Sequence, residues 1–195
     1  FRDYAIVSCG TLIPEIAHLK KSGFLDAKAI LFTKPGLHEK PKEMEVQLPK
    51  QIQLAKKRAD KVIVVYGGKF CYLPDYDPFR TVDGIIQGLG PGLSRINASH
   101  CVDMLASEEE RERISGGQKV WWLTPGWIKY RHHVFYDWDK GKAVENFPKH
   151  TGGAILLDGI GFYDKFAEEH PEEILDYSDW MGIPIIPHKI TLDRF

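Results

Sequence analysis

Three cysteines, Cys9, Cys71 and Cys101, carry the most chemistry in this sequence. A thiolate is a nucleophile and a soft metal ligand. Three thiolates can hold a zinc ion with one position open. They can equally hold three irons of a four-iron cluster, with the fourth iron left for substrate. His100, directly before Cys101, and His38, in the loop GLHEKP, are candidate additional ligands. Tyr66 and Lys69 lie beside Cys71 in YGGKFC and are candidate supporting groups, the lysine as a cation that lowers a thiol pKa or meets an acidic substrate. Each feature has a plainer reading. Cysteine is among the most buried residue types and packs as a small hydrophobe, and no CxxC pair or standard zinc spacing occurs here. A loop lysine is most often simply solvated.

Chemistry needs positioning, and the pattern along the chain is alternating. Residues 4–9 (YAIVSC) read as a buried strand, followed by a helix that Thr11 would cap with Pro14 in its first turn. Residues 27–33 (AKAILFT) are a second strand. A helix follows over about residues 42–59, with Pro49 predicting a kink or break. Residues 61–67 (KVIVVYG) form the clearest strand, apolar enough to be buried on both faces. A short helix over 81–89, a strand in SRINASH and a helix over 101–114 come next. The remainder reads as a strand in KVWWLTPG, a helix over about 127–147, a strand in GGAILLDGI, helix over 162–180 broken at Pro171, and a last strand in IPIIPHKITL whose prolines suit a sheet edge.

Strands alternating with helices predict an α/β fold: three layers, a mostly parallel sheet with helices on both faces, in a single domain over residues 1–195. In such sheets ligands bind outside the carboxyl ends of the strands. Cys9 ends the first strand, Cys71 lies just beyond the third, and Cys101 follows the strand in SRINASH, so the three thiols are expected at one rim.

Composition narrows the class. The 195 residues bury enough surface, roughly 70% for a domain of this size, to need no disulfide or metal for stability. Lys and Arg number 26 against 27 Asp and Glu, so nothing favours nucleic acid or an anionic membrane. No apolar run approaches the ~20 residues of a membrane span. FRDYAIVSCG is charged and then strand-like, unlike a signal peptide, and the absence of an initial Met is compatible with a trimmed chain. An odd number of cysteines favours a reducing cytoplasm over a secreted disulfide framework.

The segments IVSCGTL, YGGKFC, INASHCVDMLAS and WWLTPGWI, in that order, resemble family 1638 of the domains of unknown function. The resemblance implies an anaerobic setting, since members come largely from methanogens and anaerobic bacteria and many are encoded near corrinoid-dependent methyltransferases. It also implies a role for the cysteines: the family's strand-end Cys-Gly-Thr segment corresponds to Cys9, its Tyr-Gly-Cys segment to Cys71, and its His-Asp-Cys-like segment to His100 and Cys101. Two departures stand out. Gly68, Lys69 and Phe70 are inserted before Cys71, and His100 precedes Cys101 without an intervening Asp.

The expected function is then a cytoplasmic protein of anaerobic one-carbon or corrinoid metabolism that binds a metal or an iron–sulfur cluster (4Fe-4S, or else zinc). As an enzyme it would be a metal- or cluster-dependent transferase, lyase or reductive activator acting on a small-molecule substrate or a corrinoid protein. Two alternatives stay open: a non-enzymatic partner of a corrinoid methyltransferase, and a thiol enzyme using Cys101 at a helix start beside His100. Thr124, Trp127 and Asp158 end strands in KVWWLTPG and GGAILLDGI and are candidates for a substrate pocket. Asp158 reads equally as a helix cap. The tryptophans read equally as core, and DGIGF as a strand-to-helix turn with no anion. His132 and His133 are adjacent on a predicted helix and point apart. EEERER reads as a solvated helical face.

Overall fold

The computed structural model describes residues 1–69, 71–72 and 79–195. The sequence reads as one domain; the protein divides into two compact units, Phe1–Cys101 and Val102–Phe195. Every strand pairing among the described residues is parallel, which makes the protein α/β.

The first unit runs β1 (Tyr4–Ser8), α1 (Ile13–Lys21), β2 (Ala29–Phe32), α2 (Pro41–Lys56), β3 (Lys61–Val65), α3 (Val82–Gln87) and β4 (Leu93–Arg95). Its sheet has the order β2-β1-β3-β4, with Ile6 level with both Ile30 and Ile63. Apolar residues on consecutive positions of β1 and β3 need cover on both faces. Helix α2 supplies part of it with a stripe of Met44, Leu48, Ile52 and Ala55, which packs with Ala5, Val7, Val62 and Val64.

Pro49 does not break α2, which runs unbroken from Pro41 to Lys56. An interior proline costs ~3 kcal/mol. Burying Met44, Leu48 and Ile52, each wholly shielded, contributes about 1.5–3 kcal/mol apiece. Packing therefore outweighs the proline. The α1 start also differs from expectation. Thr11 does not cap it; Gly10–Leu12 form a 3-10 turn, and Leu12 occupies the cap position without a side-chain bond.

The second unit runs α4 (Glu108–Ser115), β5 (Trp121–Leu123), α5 (Pro125–Lys129), α6 (Arg131–Val134), α7 (Lys140–Asn146), β6 (Ala154–Asp158), α8 (Phe162–Glu169), α9 (Pro171–Met181) and β7 (Ile185–Lys189). The sheet order is β5-β6-β7. Central β6 is buried at every position, and Pro187 lies in β7 at the edge, where a missing N–H costs least. The long helix expected over 127–147 is three short ones, because Tyr130 leaves helical geometry (φ −112°, ψ 23°) and Asp139 starts α7 afresh by accepting from Lys142 N at 2.8 Å. The helix expected over 101–114 likewise splits into a 3-10 turn, Cys101–Met104, and α4. Ser107 and Glu110 form a capping box that restarts the helix, a signal readable in SEEE. Helix α4 buries no residue, as EEERER predicts. Among the described residues no helix is long and apolar enough to cross a membrane.

Candidate functional site

In the first unit β1 lies between β2 and β3, so the chain leaves β1 in one direction and returns on its other side. In open α/β sheets such a reversal is where ligands bind, here the carboxyl ends of β1 and β3. Cys9 is the residue after β1. Its N–H extends the ladder by one bond to Val65 O at 3.2 Å, which holds the Cys9 backbone against β3. Gly10 follows because nothing larger fits: a Cβ there would lie 2.4 Å from Thr33 O and 2.7 Å from Pro35 N. The 3-10 turn then carries Thr11 back toward the cysteine, with its Oγ1 3.1 Å from Cys9 Sγ.

Cys71 returns to the same rim from beyond β3. Its sulfur is packed on Gly67, where a Cβ would stand 2.6 Å from Cys71 Sγ and 2.4 Å from His100 Cα. Gly67 thus lets the loop after β3 touch the loop after β4, and His100 contributes its backbone to that contact. The Gly67 and Cys101 backbone N–H groups donate to the Cys71 sulfur. Arg95, at the end of β4, locks the two loops. Its Nη1 donates to Tyr66 O (3.1 Å), Ile96 O (2.6 Å) and Ala98 O (2.9 Å), while Nε and Nη2 clamp Asp83 at 2.7 and 3.0 Å. Gly68 N adds a bond to Ala98 O at 2.8 Å.

Cys71 feels the charge of both other cysteines. Burial pushes the Cys71 thiol well above its ordinary value, and negative charge on Cys101 and Cys9 pushes it further. Burial also raises Cys9, against hydrogen bonds from Thr11 and Tyr66 that favour its thiolate. Tyr66 is fully buried; its hydroxyl bonds Thr33 Oγ1, and burial first, then the Cys9 charge, holds its pKa well above the usual phenol range. All three cysteines are free thiols; Cys9 and Cys71 are buried and Cys101 half-buried. The three sulfurs are not all within 4.8 Å of one another. Among the described residues, the one trio of His, Cys, Asp and Glu ligand atoms all within 4.8 Å is His170, Glu172 and Glu173 on the surface of the second unit. Cys9 and Cys71 also belong to the apolar cluster that includes Tyr66, Tyr72 and Val64.

The remaining candidates divide. His38 is paired with Glu39 at 3.8 Å, and burial lowers its pKa. Lys69 is exposed. Thr124, Trp127 and Asp158 belong to the second unit. The Asp158 carboxylate receives the N–H groups of Ile160 and Phe162 at 3.0 Å each and of Tyr163 at 2.8 Å. It therefore occupies the start of α8 itself, where an anion bound by DGIGF would sit. Thr124 is wholly buried at the start of α5, and Trp127 packs edge-on against Trp121 and Phe135.

Reading the sequence for site residues misses Glu15. It is wholly buried on α1, and its charge acts on Cys9. Its signal was present: Leu12, Glu15, Ile16 and Leu19 fall on one helical stripe, so the acid takes an apolar position. Arg95 and Thr33 carry no such signal, because their roles come from strand neighbours far along the chain.

The model of the family described as protein of unknown function (DUF1638) matches residues 32–195. The chain belongs to DUF1638. The DUF1638 match contains Cys71 and Cys101 and begins after Cys9. No curated protein and no solved structure matches the chain.

Proposed function

We propose that Cys9, Cys71 and Cys101 are the protein ligands of a metal centre, an iron–sulfur cluster in preference to a single zinc ion. One observation supports this reading: the buried Cys71 thiol feels the charge of both Cys9 and Cys101, and hydrogen-bond donors serve the Cys9 and Cys71 sulfurs. Thr11 and Tyr66 serve Cys9, and the Gly67 and Cys101 N–H groups serve Cys71. Donors of this kind stabilise thiolates and tune a bound cluster. A pair of buried thiols crowded by a third is a poor place for bare negative charge, and a cation supplies the missing compensation.

Spacing supports the choice between metals. Four sulfurs on one tetrahedral zinc stand about 3.8 Å apart, from Zn–S bonds of ~2.3 Å. These three are not all within 4.8 Å. A four-iron cluster binds each thiolate to a different iron and so holds them wider apart. Such a centre, with three protein ligands, offers its fourth position to a substrate heteroatom as a Lewis acid, or passes an electron. The protein's own part is to exclude water from Cys9 and Cys71, to fix the sulfurs through Gly10 and Gly67, and to hold the rim with Arg95. In this reading the partner is a small-molecule substrate or a corrinoid protein, as the family resemblance implies, and the setting is a reducing cytoplasm.

The test is elemental analysis and electronic absorption on anoxically purified protein and its single Cys→Ser variants. Brown protein with iron is expected, and each variant should lose most of it. Stoichiometric zinc in colourless protein would replace the cluster by the second metal. Full metal retention by Cys71→Ser would remove the site and leave the cysteines as packing residues of the core.

A further inference from the structure

The second unit contains a cavity of about 420 Å³ lined by Phe135, Trp138, Tyr177 and Trp180, with Arg131 and Asp176 among its polar members. Small-molecule sites usually occupy ~300–1,000 Å³ and combine aromatic walls with a few polar groups. The rings here brace one another: Phe135 lies 5.1 Å from Trp138 and 5.2 Å from Trp180, and Tyr177 lies 5.9 Å from Trp180.

Arg131 is the unusual member. Its guanidinium lies over the Tyr177 ring, 5.5 Å from the centroid. Nη1 donates to Glu173 O, and Nε donates to His132 Nε2 at 3.3 Å. Among the described residues no carboxylate pairs with it, and Nη2 makes no hydrogen bond. A half-buried guanidinium thus keeps its Nη2 N–H groups for an acceptor, and a guanidinium pairs well with a carboxylate. Asp176 carries the opposite charge at the same cavity, but it is exposed, so water and salt screen it more than they screen Arg131. Two buried atoms of the wall, Tyr177 Oη and Trp138 Nε1, have no hydrogen-bond partner among the described residues. Both can donate, so the wall is short of acceptors.

We infer that this cavity binds a small planar aromatic carboxylate, its ring against Trp138, Trp180 and Phe135 and its carboxylate on Arg131. The charge selects an anion, the flat walls select a ring, and neither depends on the cysteines of the first unit.

Isothermal titration of the full chain with 2-naphthoate, and with 2-naphthylmethylamine as the cation of matched shape, tests this. Naphthoate should bind one to one and more tightly than the amine. Arg131→Gln should weaken it tenfold or more, and Arg131→Lys, which keeps charge without the fork, by less. Because Arg131 also holds Glu173 O, Asp176→Asn provides a second variant that leaves this contact alone; it should bind naphthoate as well as the parent or better. The inference is overturned if naphthoate fails to bind at millimolar concentration, if the amine binds as tightly, if Arg131→Gln leaves binding unchanged, or if Asp176→Asn weakens it.

Discussion

Replacing Gly67 by alanine tests the geometry on which the candidate site depends. The added Cβ would fall 2.4 Å from His100 Cα, 2.7 Å from His100 N and 2.6 Å from Cys71 Sγ. Ordinary contact begins at 3.4 Å, so the worst pair must separate by 1.0 Å. Two of the three obstacles are backbone, and Arg95 clamps that backbone through Ala98 O, so no flexible side chain can absorb the shift. Forcing extra atoms into a packed site typically costs ~1–3 kcal/mol. Taking about 2 kcal/mol, a chain of this length should melt about 4–8 °C lower. The same movement carries Cys71 away from the N–H of Cys101, so under the proposed function metal content should fall with stability. Gly88→Ala is the control: it has φ −77° and nothing within 4 Å of its Cβ, so it should be neutral or stabilising by up to ~1 kcal/mol. Thermal melting of both variants, followed by circular dichroism, separates the cases. If Gly67→Ala melts with the parent protein, the two loops do not touch as described and Gly67 does not hold Cys71 at the rim.

Three further outcomes are expected. Arg95→Ala removes charge-assisted bonds to three carbonyls and to Asp83 from a side chain only 14% exposed; it should cost at least ~2 kcal/mol in urea unfolding and make Cys101 react faster with iodoacetamide, and unchanged values on both counts would show the clamp to be idle. Asp158→Asn turns one acceptor of three backbone N–H groups into a donor facing Tyr163 N; a loss of about 1–3 kcal/mol is expected, with naphthoate binding unaltered. His150 is 8% exposed, 5.2 Å edge-on from Trp121, and burial lowers its pKa below 6.5. The unfolded chain therefore takes up the proton first, so His150's contribution is fully present above pH ~6.5 and is lost as pH falls through that value toward the folded pKa. Urea midpoints measured from pH 8 to 5 should decline less steeply in His150→Gln than in the parent, and equal slopes would refute the assignment.

How far the site was legible follows from what each signal reports. Cys9 and Cys71 could be assigned to strand ends from apolar runs alone, because parallel strands joined by helices all finish on one side. The stripe containing Glu15 was legible in the same way, though an acid in it reads as noise until its neighbours are known. Helix breaks were partly legible: Ser107 announced the restart of α4, whereas the break at Tyr130 has no glycine or proline to mark it. Pro49 misled, since a local rule was set against burial that only the assembled sheet provides.

Taken alone, the sequence determined the α/β class, the parallel pairing, the position of β7 at an edge and the placing of thiols beyond strands. These follow from periodicity, chain connectivity and the chemistry of proline, all of which act within a few residues or one crossover. Only the tertiary structure decided that β1 lies between β2 and β3, that the described strands divide into sheets of four and three, that Gly67 is pressed against His100, and that Arg131 stands over Tyr177 with no carboxylate partner among the described residues. Periodicity says which face of an element is covered; what covers it depends on contacts between residues far apart in the chain, and those are settled by packing the whole unit at once.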